Sequence, residues 1–105
     1  MKIYISGKIS GLTEKEYRHN FTLAERHIYW LKDFEGKRDL IKIINPLKIK
    51  PLFGIKKWLF YMVADIWQLR KCSHIAMQPN WIESKGAWLE YGYAKFILKL
   101  KVIYL

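Results

Sequence analysis

The chain has 105 residues, with 19 Lys plus Arg against 9 Asp plus Glu, a net charge of +10 and a hydrophobic fraction of 51%. That length fits one domain over residues 1–105, and the half-apolar composition supplies one compact core, which excludes intrinsic disorder. A lone Cys72 excludes an internal disulfide framework and a Cys-rich zinc site. No charge-free run is long enough to span a membrane and no secretion leader is recognisable, so a cytoplasmic protein without membrane association is expected.

The first segment, Lys2 to Ser6 (KIYIS), is β-branched and aromatic and stops at Gly7, as a strand entering a tight turn does. Thr13 stands three residues before Glu16 in a capping-box pattern. Behind it, Tyr17, Phe21, Ala24, Ile28 and Leu31 recur at spacings of four and three, which predicts a helix ending near Asp33 to Gly36. A second apolar run, Leu40 to Ile44, closes at Asn45-Pro46, and Lys48 to Ile55 reads as a Pro-flanked loop. A second helix is expected from Lys56, with Trp58, Met62, Ile66 and Leu69 on one stripe. His74 to Gln78 is a third strand, Ser84 caps a third helix with Ala87, Tyr91, Ala94 and Leu98 inward, and Lys101 to Leu105 is a closing strand. Strands alternating with helices predict a three-layer α/β domain of flavodoxin-like type, with a small parallel sheet in the order βαβαβαβ.

In such sheets ligands bind outside the carboxyl ends of the strands, where successive crossovers leave in opposite directions. The walls of that cleft are then the loop Ser6 to Gly11, the segment at Asn45, and the loop from Gln78 into the third helix. Two acids break the apolar stripes facing it. Asp65 lies three residues after Met62 and four before Leu69; Glu90 lies three after Ala87 and four before Ala94. An inward acid is costly unless it is paired, hydrogen-bonded or functional, and a carboxylate pair suits glycosyl chemistry at an oxocarbenium-like centre.

Competing signals are poorer. The GKISG loop lacks the spacing of a dinucleotide-binding loop, and no Walker A motif exists. His19, His27 and His74 have no metal-ligand spacing, and Cys72 reads as an inert core thiol, so neither metal nor cofactor is expected. The lysines between Lys37 and Lys57 lack the Arg content and motif of a nucleic-acid reader, which argues against a nucleic-acid partner. Trp58, Trp67, Trp81 and Trp88 exceed what a small core hides and point to a dimer surface or an aromatic wall against a base.

The segments Tyr4 to Gly11 (YISGKISG), Asn45-Pro46, Tyr61 to Asp65 (YMVAD) and Asn80 to Ala94 (NWIESKGAWLEYGYA) resemble a small family of phage and bacterial proteins. That family is similar to nucleoside 2-deoxyribosyltransferases and 2′-deoxynucleoside 5′-phosphate N-hydrolases. The resemblance spans nearly the whole chain, and its most specific part is Ser84-x-Gly86-Ala87-x-x-Glu90 with the upstream Asp65. It implies that Glu90 is the nucleophile that forms a glycosyl-enzyme intermediate, that Asp65 assists the departing base or holds the sugar, and that Tyr4 positions Glu90. It further implies that Ser84 contacts a 5′-phosphate, with Ser6, Gly7, Asn45 and Gly86 as the other substrate-binding candidates. The expected ligand is a nucleoside or its 5′-monophosphate and the expected assembly a homodimer. The alternative is a module that binds or sequesters a nucleotide without cleaving it.

Overall fold

A computed structural model describes residues 1–9, 11–46 and 66–105. Four strands, β1 (Lys2–Ser6), β2 (Lys42–Ile44), β3 (His74–Met77) and β4 (Lys101–Tyr104), form one sheet in the order β2-β1-β3-β4. All three pairings are parallel, with Tyr4 opposite both Ile44 and Ile75, and Ser6 opposite Met77. The parallel α/β architecture predicted from the sequence is therefore present.

Strand alternation distributes the core. Ile3 and Ile5 of β1 and Ala76 of β3 turn to one face, where Phe21, Ala24 and Ile28 of helix α1 (Glu14–Tyr29) cover them. Tyr4, Ile75 and Met77 turn to the other face, beneath Leu69 of a helical segment α2 (66–69) and Ala87 of helix α3 (Lys85–Gly92). Each fully buried aliphatic side chain here contributes about 1.5–3 kcal/mol. Two separate clusters, one per face, are what a sheet sandwiched between helical layers needs.

Chain order explains the geometry of the cleft. The chain leaves β1 through α1 to β2 on one flank, and β3 then returns to the opposite flank of β1. The carboxyl ends of β1 and β3 are thus the switch point, where the connections diverge and leave room for a ligand.

Several boundaries differ from the sequence reading. Helix α1 stops at Tyr29, short of Asp33, and the chain continues through 3-10 turns at Lys32–Phe34 and Arg38–Leu40. The apolar spacing persists there because Phe34 still packs on the α1 face, although the backbone is no longer α-helical. Gly36 has φ +78°, a left-handed turn residue that separates the two 3-10 turns. For the same reason β2 starts at Lys42: Leu40 belongs to the second turn and is exposed. Helix α3 widens into a π-helical turn at Tyr93–Ile97 and ends at Lys99, whose φ of +56° makes it a left-handed terminator. The predicted loop Lys48 to Ile55 and the start of the second helix, with Trp58 and Met62, lie outside the described residues.

Candidate functional site

Glu90 lies against the carboxyl end of β1. It is 5% exposed, on the inner face of α3, as the sequence periodicity required. Ser6 Oγ donates to its Oε1 at 2.7 Å, and the Tyr4 hydroxyl donates to its Oε2. Both donors come from alternate positions of β1, so strand pleating points both at the same helix face. The carboxylate is gripped in one orientation by two hydroxyls from a rigid central strand.

The N-terminus of α3 is formed by Ser84, whose Oγ accepts from the Ala87 amide at 3.2 Å. Ser84 is thus a helix cap, and Gly86 lies in the first turn behind it, half-buried. Ser84 and Glu90 ride on one helix, so the cap and the acid are fixed relative to each other. Asn45 follows β2, where its Nδ2 donates to Glu25 Oε1 of α1 at 3.0 Å. The structure thus brings Tyr4, Ser6 and Glu90 into contact, while Asn45 is engaged by α1. Asp65 lies outside the described residues.

Gly7 is buried at the exit of β1. A Cβ there would stand 2.4 Å from Gln78 Cδ and 2.6 Å from Gln78 Nε2, so the glycine leaves the space that the Gln78 amide fills. Gln78 was not among the candidate residues drawn from the sequence. It is 2% exposed, its backbone amide donates to the Ser6 carbonyl at 2.9 Å, and its buried Nε2 has no hydrogen-bond partner among the described residues. An orphaned buried donor costs about 1–3 kcal/mol. The available sequence signal was a polar residue at the end of an otherwise apolar strand, at the switch point. Above it, the Lys8 amide donates to Asn80 Oδ1 at 3.1 Å and Lys8 Nζ lies 3.8 Å from Glu83, tying the β1 loop to the β3 loop.

A family model described as a domain of unknown function, DUF4406, matches residues 1–104. The chain belongs to the DUF4406 family. No curated protein matches the sequence. Among solved structures, the fold is similar to that of a 2-desoxiribosyltransferase from Leishmania mexicana, with a TM-score of 0.62 and 16% identity over 99% of this chain. The DUF4406 chain spans 63% of the length of that transferase chain. At this identity the likeness establishes a shared deoxyribosyltransferase-like fold.

In this DUF4406 protein the aromatic residues next to Glu90 in sequence turn away from it. Trp88 Nε1 donates to the Ile82 carbonyl at 2.8 Å, and its ring lies 4.5 Å from that of Trp81. Tyr91 stacks on Trp81 at 4.6 Å, meets Trp88 edge-on at 6.1 Å and shares a 2.8 Å hydrogen bond with the Tyr104 hydroxyl. Lys95 Nζ donates to the Tyr91 oxygen at 2.9 Å, which lowers the Tyr91 pKa, while the hydrogen bond shared with Tyr91 raises that of Tyr104. Trp81 and Tyr91 are partly buried against the core cluster of Tyr4 and Ala87, as the inward spacing of Tyr91 predicted, while Trp67 and Trp88 are exposed. Cys72 is buried, and that burial pushes its thiol up to about 11, so it stays protonated and unreactive near neutral pH. Among the described residues no group of His, Cys, Asp and Glu is arranged to hold a metal, and no described helix is long and apolar enough to cross a membrane.

Proposed function

We propose that the protein cleaves or transfers the N-glycosidic bond of a nucleoside or nucleoside 5′-monophosphate through a covalent glycosyl-enzyme intermediate. The observation that carries this reading is Glu90, a buried carboxylate at the sheet's switch point, oriented by the Tyr4 and Ser6 hydroxyls. The similarity in fold to a deoxyribosyltransferase supports the same class of chemistry.

In the first step the Glu90 carboxylate attacks the anomeric carbon as the carbon–nitrogen bond breaks. The bonding electron pair leaves with the base, which takes up a proton from Asp65. In the second step water or an acceptor base attacks the glycosyl ester, gives up a proton to the Asp65 carboxylate left by the first step, and releases Glu90 as a carboxylate. Tyr4 and Ser6 aim the nucleophile in the first step and stabilise it as the leaving carboxylate in the second. Ser84 and the free amides at the start of α3 seat a 5′-phosphate where one is present. The exposed apolar side chains Trp88, Leu89, Phe96 and Ile97 on and after α3 suit a homodimer, which light scattering of the purified chain would register as twice the monomer mass.

The test is base release from deoxynucleosides and their 5′-monophosphates, followed by chromatography. Glu90→Gln is expected to reduce turnover by at least about a thousandfold, and Tyr4→Phe by about ten- to a hundredfold with KM little changed. Turnover surviving in Glu90→Gln removes the nucleophile assignment. Nucleotide that binds the wild type and is recovered intact after long incubation would leave a binding module in place of an enzyme.

A further inference from the structure

We propose that Gln78 reads the nucleobase, its Nε2 donating a hydrogen bond to an acceptor on the base that the described residues do not supply. This inference rests on the glycosidase reading and names the specificity-determining residue of that same cleft.

The placement follows from the strands. Ser6 and Met77 are register partners, and Ser6 turns toward Glu90 on the α3 face. Alternation sends the next residues, Gly7 and Gln78, to the α1 face, and they lie against each other there. A ligand crossing the switch point therefore meets two chemistries. On the α3 face are the nucleophile and the capped N-terminus of α3, which take the sugar and its phosphate. Beyond the sheet edge is an uncharged amide, which cannot serve as an acid or a base at ordinary pH and so acts by recognition. A primary amide matches the hydrogen-bonding edge of a nucleobase, as glutamine does when it pairs with adenine.

The orphaned donor is the second observation. Buried amides are almost always paired, and an unpaired one in a native protein calls for an explanation, of which a ligand is one. Nε2 is without a partner among the described residues, although it sits beneath two loops linked by the Lys8 to Asn80 hydrogen bond. Because Gln78 is 2% exposed and its amide fills the space beside Gly7, ligand entry has to turn Gln78 or lift the Gly7–Lys8 segment. Discrimination then comes from the unmade bond: a base lacking the acceptor leaves the donor orphaned, and one supplying it does not.

The experiment compares wild type and Gln78→Met on a natural deoxynucleoside and on an analogue in which the base's hydrogen-bond acceptors are replaced by carbon. Methionine keeps the length of the side chain and removes the donor. The wild type is expected to prefer the natural base about ten- to a hundredfold in kcat/KM, or in affinity where the nucleoside is bound but not cleaved. Gln78→Met is expected to lose that preference by falling on the natural base alone, with the ligand-free melting temperature unchanged or raised. Equal activity of wild type and Gln78→Met on the natural base overturns the inference and leaves the glycosidase reading standing. An equal loss on both substrates, or a marked drop in melting temperature, makes Gln78 structural and also overturns it. A wild type that neither cleaves nor binds any deoxynucleoside sinks the glycosidase reading itself and the inference with it.

Discussion

Gly7 and Gln78 set a residue-scale constraint that a substitution can expose. A methyl group at position 7 collides with the far end of a flexible side chain and with no backbone atom in the nearest contacts. Gly7→Ala should therefore fold, at a cost of about 1–2 kcal/mol for displacing the amide in a packed site. Adding Gln78→Ala removes the obstacle, so the double variant should be more stable than the sum of the two single changes implies. Denaturant melts of the four proteins would measure that coupling, and simple additivity would mean the two side chains do not contend for one space. Glu90 and Gln78 also mark where sequence reading succeeds and stops. Glu90 was legible because an acid on an apolar helical stripe violates a strong pattern. Gln78 was not, because a polar residue closing a strand is ordinary until the glycine packed against it and the missing partner are seen in space. Tyr4 was assigned from resemblance alone; its hydroxyl contact with Glu90 follows from strand pleating and a helix position that periodicity does not fix.

Among the elements, α1 is the one whose start was fully specified by local chemistry. Thr13 Oγ1 accepts from the Glu16 amide at 3.2 Å, and Glu16 Oε1 accepts from the Thr13 amide at 3.0 Å. Those two bonds lower the pKa of Glu16. Thr13→Ala should cost about 1 kcal/mol through the lost cap. The carboxylate half of the box behaves as a group with a depressed pKa: its contribution is present above the ordinary carboxylate range and is lost as the pH falls through the lowered value. Thermal melts of wild type and Glu16→Gln should therefore converge on acidification, and a gap that stays constant down to low pH would show that the Glu16 charge plays no part. The end of α1 was less legible than its start. Apolar spacing ran on to Leu31 and Phe34 because the following 3-10 turns keep burying residues on the same face. Periodicity reports which side faces the core and says less about which helix type carries it.

At the scale of the molecule, one sheet edge carries the candidate site and the opposite edge carries a cavity of different character. The cavity, about 660 Å³, opens at the amino ends of the strands, where Met1, Lys37, His74 and Lys101 meet Asp33 and Phe34. Its charge is mostly positive, and His74 registers that. Burial is the main cause that lowers the His74 pKa, and the positive charges of Lys101 and the N-terminal ammonium lower it further. The ring is held by the Ser73 hydroxyl at 2.7 Å and by an edge-on contact with Phe34. The unfolded chain, in which His74 titrates near the ordinary 6.5, then binds more protons than the folded chain just below that pH. Stability on account of His74 is undiminished above 6.5, falls as the pH drops through it, and levels off below the lowered folded value. Replacing the imidazole with a group that does not titrate, in His74→Gln, should remove this component, so the variant loses less stability than wild type between about pH 7 and pH 5. Urea melts across that range test it, and parallel profiles would show that His74 takes up its proton as readily folded as unfolded. Because His74 begins β3 and Gln78 follows its end, a titration at the amino edge leaves the Glu90 cleft unaltered, and the same pH series on base release should show no inflection that His74→Gln removes.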